Sequence, residues 1–151
     1  MTIYIGADHG GFDLKERLKA ILENEGYKVV DVGAPRMVAG DDFPEFAGAV
    51  AERVAKGAND DRGIVICRSG FGVDIVANKF VGVRSALAIS PDHIYQGRHD
   101  DDVNVLALAA DFIAPDIAEK IMKVFLSTPA ASDERYLRRK EEIREIDTRR
   151  S

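Results

Sequence analysis

Apolar and polar positions alternate between two rhythms along this chain. Residues 2–6 form a short apolar run. Beyond Gly10 and Gly11, Phe12, Leu14, Leu18, Ile21 and Leu22 recur at helical spacing, with Gly26 placed to end the helix. Residues 27–32 read as a second strand and residues 33–42, with Pro35, Gly40, Asp41 and Asp42, as a loop. A helix beginning near Pro44 turns Phe46, Val50 and Val54 inward and stops at Gly57. Gly63-Ile64-Val65-Ile66-Cys67 is unbroken and apolar, the mark of a strand covered on both faces. A helix then runs to Asn78, strands are predicted at 82–89 and 104–108, and helices at 91–98 and 115–126.

Five alternations of strand and helix with short connections predict an α/β fold, a three-layer αβα sandwich around a five-stranded parallel, Rossmann-like sheet. The 151 residues suit one domain, 1–151. Residues 133–151 differ: 7 are basic and 6 acidic, too polar to pack along a whole helix face. This C-terminal helical arm, from about residue 131, is either a solvated end or an arm lying on a partner subunit.

Lys and Arg number 21 against 26 Asp and Glu, a net charge of −5, which offers nothing to nucleic acid or an anionic membrane. No apolar run approaches the ~20 residues that span a bilayer. The N-terminus lacks a basic region ahead of its first strand, so no signal peptide is expected and the expected location is the cytoplasm. A lone cysteine, Cys67, builds neither an internal disulfide nor a Cys₄ zinc site.

Ligands of open α/β sheets bind outside the carboxyl ends of the strands, and three such places carry chemistry. In Ala7-Asp8-His9-Gly10-Gly11, Asp8 either caps the next helix or faces a ligand. In Cys67-Arg68-Ser69-Gly70-Phe71-Gly72-Val73-Asp74, glycines two apart let successive amides face one concavity suited to an anion, with a thiol at its edge. It is neither a Walker loop nor a complete dinucleotide fingerprint. In Arg98-His99-Asp100-Asp101-Asp102, three consecutive acids cannot face one point, so a solvated acidic loop is expected rather than a metal site. His93 reads as a surface residue. A serine hydrolase is disfavoured because Ser69 lacks the G-x-S-x-G elbow.

Taken together, Ile5-Gly6-Ala7-Asp8-His9-Gly10-Gly11-Phe12, the stretch from Gly63 to Arg84 and the strand at Asn104-Val105-Leu106 resemble the type B ribose-5-phosphate isomerases and galactose-6-phosphate isomerase subunits. The resemblance implies an aldose–ketose isomerase of a small sugar phosphate, working through a cis-enediolate without metal or cofactor. It implies a homodimer or tetramer with shared sites. By position, Cys67 is the base between C1 and C2, Ser69 assists it, and the amides at Gly70, Phe71 and Gly72 hold the oxyanion. Asp8 meets sugar hydroxyls, and His9, Arg135 and Arg139 meet the phosphate, the arginines coming from the partner.

Four positions depart from that pattern. Arg68 replaces a glycine, Asp100 stands where the ring-opening histidine is expected with His99 one residue earlier, Asp101 replaces an asparagine, and Asp111 replaces a phosphate-binding arginine. In some relatives an acid after the second loop glycine replaces the cysteine; here Val73 holds that position and Asp74 is adjacent. Extra carboxylates and one lost cation predict weak handling of ribose 5-phosphate. A non-catalytic sugar- or nucleotide-phosphate binding module is the alternative.

Overall fold

A computed structural model describes residues 1–150. The elements are β1 (Thr2–Ala7), α1 (Phe12–Asn24), β2 (Lys28–Asp31), α2 (Phe43–Lys56), β3 (Arg62–Cys67), α3 (Phe71–Ala77), β4 (Ser85–Leu87), α4 (Pro91–Asp101), β5 (Val105–Ala109), α5 (Pro115–Ser127) and α6 (Glu134–Thr148). All strand pairs are parallel, in the order β2-β1-β3-β5-β4.

The period-two geometry of the strands sorts their side chains between two cores. Ile3, Ile5, Ile64, Ile66, Leu106 and Leu108 face α1, α4 and α5. Val65, Cys67, Val105 and Ala107 face α2 and α3. Both faces are covered, which is why β3 carries no polar alternation. Helix starts follow the expected chemistry: prolines occupy the first turns of α2, α4 and α5, and the Ser90 hydroxyl accepts from the His93 amide to cap α4.

The predicted strand at 82–89 is realised only over Ser85–Leu87. Gly82 turns the chain at φ +86°, and the Asn78 side chain bonds both the amide and the carbonyl of Ser85. Asn104 Oδ1 takes the Arg84 amide. Side chains therefore hold this entry to the edge strand where ladder pairing was expected.

Register fixes the height of each loop. Gly63 pairs with Val105 and Cys67 with Ala109, so β3 and β5 end level. Ala7 pairs with Ile66, which puts Asp8 beside Cys67. The chain leaves β1 toward β2 on one side, while β3 lies on the other, so a crevice opens where these ends meet. Helix α4 runs back to the opposite end of the sheet and delivers Asp101 to the start of β5. From Val105 to Ala109 is four residues, roughly 13 Å along the strand.

Helix α6 has no buried residue. It meets the body through the Tyr136 ring, edge-on to His99 at 5.4 Å, Lys140 Nζ on the Ala131 carbonyl, and Asp147, which accepts the Gly82 amide at 2.6 Å. Between α6 and the β4 edge lies a groove of about 690 Å³, with Leu137, Ile143 and Ile146 above and Val83, Ala86 and Val103 below.

Candidate active site

At the tip of β3, Cys67 is 5% exposed, and the Gly70 amide donates to its Sγ at 3.2 Å. That contact exists because Gly70 is left-handed, φ +75°, and turns its amide back toward the strand as α3 begins. A side chain at Gly70 is excluded twice over: a Cβ would stand 2.4 Å from Leu87 Cδ1. Gly72 is pressed by the Phe43 ring of α2, which a Cβ would meet at 2.6 Å, so the second loop glycine makes room for a packed aromatic. Ser69 is half-buried and Phe71 exposed at this mouth.

Beside it, Asp8 is buried and its Oδ1 accepts the Gly11 amide at 3.1 Å, so this carboxylate shapes the turn into α1. Gly10 lies against the Arg68 side chain, with room for no Cβ, which knits the two loops across the crevice. The Ala110 and Asp111 amides donate to the carbonyls of Cys67 and Arg68. Asp111 thereby reaches Arg68, Oδ2 to Nη1 at 3.5 Å, with the side chains 49% and 64% exposed. The two substitutions meet as an ion pair at the rim.

His9 sits at the same end. Its backbone amide and its Nδ1 both bond Asp41 Oδ1, at 2.7 and 2.9 Å. From the sequence Asp41 reads only as a loop residue, and the one signal of this partnership is a pair of acids ahead of a helix.

Asp74 is turned away from the thiol. Its Oδ1 accepts from Ser85 Oγ at 2.6 Å, and Ser85 pairs with Val105, four residues below the level of Cys67. Burial raises the Asp74 pKa above the ordinary carboxylate value, and the Ser85 hydroxyl offsets only part of that.

The remaining candidates gather at the other end of the sheet. His99 stacks on Tyr95 at 5.6 Å and bonds Asp100 at 2.7 Å. Asp101 is exposed at the end of α4. Asp102 takes a left-handed φ of 54° because Arg98 and Arg84 grip its two carboxylate oxygens, at 2.7 and 3.0 Å. The acidic run thus splits into three separate environments, and no cluster of metal-binding type forms among the described residues. Arg135 lies over Tyr136, 4.8 Å from its ring, and Arg139 is exposed one turn on.

Residues 3–143 match the Ribose/Galactose Isomerase family. The chain belongs to this family. It is 39% identical over 125 residues to a probable ribose-5-phosphate isomerase B of Mycoplasma genitalium, covering 83% of this chain and 82% of that one. Against the ribose-5-phosphate isomerase B of Escherichia coli it is 36% identical over 149 residues, 99% and 98% of the two chains. The Mycoplasma genitalium enzyme solved with bound ribulose-5-phosphate superposes with a TM-score of 0.92 at 36% identity, over 97% and 96% of the chains. The Clostridium thermocellum ribose-5-phosphate isomerase B gives 0.93 at 36% identity over 100% of both. The Ribose/Galactose Isomerase fold thus carries here a thiol, a buried aspartate and a histidine at one sheet end, and the acidic α4 terminus and α6 arginines at the other.

Proposed function

We propose that this chain interconverts the aldose and ketose forms of a small sugar phosphate, with Cys67 as the base. The thiolate takes the C2 proton of the open aldose. The electron pair moves into a C1–C2 enediolate with its charge on O1, a proton passes from the O2 hydroxyl to O1, and the same proton or a solvent proton returns to C1 as the C2 carbonyl forms. The single observation that carries this is the Cys67 sulfur at the crevice, held by the Gly70 amide and level with Asp8, in a chain of this family. Gly70 gives the sulfur a donor to keep while it carries charge, and the neighbouring backbone of the 70–72 turn is the support for a developing oxyanion. Ser69 assists the sulfur, Asp8 meets a sugar hydroxyl, and His9 and Arg68 meet the phosphate. A single thiol used as a base suits a reducing compartment, so the enzyme is read as cytoplasmic.

The site is read as shared between two copies. His99, Asp100 and Asp101 close α4 toward the start of β5, with α6 and its Arg135 and Arg139 beside them, while Cys67 lies at the other end of a strand roughly 13 Å long, so we read them as serving the partner's thiol. Helix α6, unburied along its length and bordering an apolar groove, supports a second copy seated there. A homodimer is the smallest assembly that satisfies this. One cooperative unit spanning 1–151 is the matching domain reading, with the segment from about residue 131 as the arm.

The relatives named above act on ribose 5-phosphate by name, and a pentose phosphate is the substrate class proposed here. Asp111 at the rim and Asp100 at the expected ring-opening position weaken ribose 5-phosphate relative to an open-chain sugar. A panel of aldose and ketose phosphates in D₂O, followed by NMR, tests the reading. Exchange at C2 of an aldose together with formation of its ketose is expected. Binding of the panel with no exchange would place the chain as a binding module instead.

A further inference from the structure

The Asp41 side chain is only 11% exposed, yet its carboxylate serves no helix cap and no fixed cation. Its Oδ1 takes the His9 amide and the His9 Nδ1, and its Oδ2 is enclosed without a hydrogen-bond partner. A buried carboxylate oxygen left unpaired destabilises the fold that encloses it. The loop's own turn is made by backbone, the Asp41 amide on the Val38 carbonyl, so the carboxylate is not needed for it. All of the carboxylate's bonding is spent on one residue of the crevice.

A carboxylate only accepts, so the proton lies on Nδ1 of His9 and the ring is fixed in one tautomer and one orientation. Its Nε2 makes no hydrogen bond among the described residues. We infer that Asp41 is a positioning residue, which holds the His9 ring so that Nε2 faces the phosphate of the substrate. On binding, Nε2 takes up one proton, from solvent or from the phosphate monoanion, and donates it to a phosphate oxygen while Nδ1–H stays on Asp41. The carboxylate then balances the imidazolium while Arg68, on the neighbouring loop, adds the second cation. The arrangement is the carboxylate–histidine pairing that orients imidazoles elsewhere, applied to anion binding. This rests on the assignment of His9 to phosphate made above.

The test uses the whole protein with inorganic phosphate as probe, and ¹⁵N NMR of the His9 ring as readout. In the free wild type the neutral ring should show the Nδ1–H tautomer. Asp41→Ala should release it toward the Nε2–H form and weaken phosphate binding at least tenfold. Asp41→Asn keeps an acceptor oxygen for the His9 amide and Nδ1 but removes the charge; it should keep the tautomer and weaken phosphate by a smaller factor. In turnover of ribose 5-phosphate, Asp41→Ala should raise KM by the same factor as it weakens phosphate, with kcat within about threefold. Phosphate affinity within twofold of wild type in both variants overturns the inference. So does a loss confined to kcat, which would mean a general disturbance of the site. Phosphate binding at His9 in a protein that isomerises no aldose would leave the role of Asp41 standing and sink the isomerase reading.

Discussion

Removing the Asp111 carboxylate should improve this enzyme on ribose 5-phosphate. The Arg68–Asp111 pair spans 3.5 Å with both side chains about half exposed or more, the class of ion pair that contributes about 0–1 kcal/mol to stability. Asp111→Ala should therefore shift Tm by no more than ~3 °C. Its effect on an anion is larger. A phosphate on Arg68 lies within about 6 Å of Asp111, where two unit charges repel by roughly 0.7 kcal/mol in water and about 2.8 kcal/mol at an effective dielectric of 20. The open rim places the value toward the lower end, and a phosphate near −2 doubles it, so about 1–2 kcal/mol is expected. That corresponds to a roughly five- to thirtyfold lower KM. Arg68, released from its partner, adds to the gain. Steady-state kinetics on ribose 5-phosphate at low salt measures this, and repeating them at about 1 M NaCl should shrink the difference as screening shortens to ~3 Å. An unchanged or higher KM at low salt would refute the placement of phosphate beside Arg68.

Asp74→Asn should keep activity, because this carboxylate is engaged by the Ser85 hydroxyl and not by Cys67. Burial holds the Asp74 pKa above its unfolded value, so its favourable contribution exists at low pH and is lost as pH rises through the folded pKa. The variant should therefore melt higher than wild type at pH 7, with the gap closing toward pH 4, as read by calorimetry. Asp102→Ala strips the buried Arg98 of its carboxylate and should cost about 2–3 kcal/mol, lowering Tm by roughly 5–10 °C in the same instrument. Light scattering at micromolar concentration should give a dimer or larger. A strict monomer would remove the shared site.

Much of the fold was legible because it rests on local pattern. The run from Gly63 to Cys67 could only be a strand buried on both faces, and the prolines and glycines bracket the helices where the structure ends them. The order β3-β5-β4 was not legible, since neither edge strand announces its neighbour. The thiol and the glycine turn that serves it were readable as one short segment. The pairs that tune the site were not. Asp41 meets His9 across 32 positions, and Arg68 meets Asp111 only because two strand ends finish level. Asp102 reads as one of three equal acids until Arg84 and Arg98 close on it. Each of these depends on long-range register, which composition and periodicity do not encode.

The central claim is that Cys67 moves the proton. Cys67→Ala and wild type should be compared by NMR for solvent deuterium entering C1 of ribulose 5-phosphate, a ketose that needs no ring opening because its O5 is esterified. The loss expected is ~10²-fold or more, as for removal of a general base, with folding and phosphate affinity retained. Exchange at the wild-type rate in Cys67→Ala would assign the proton to another group and contradict the account.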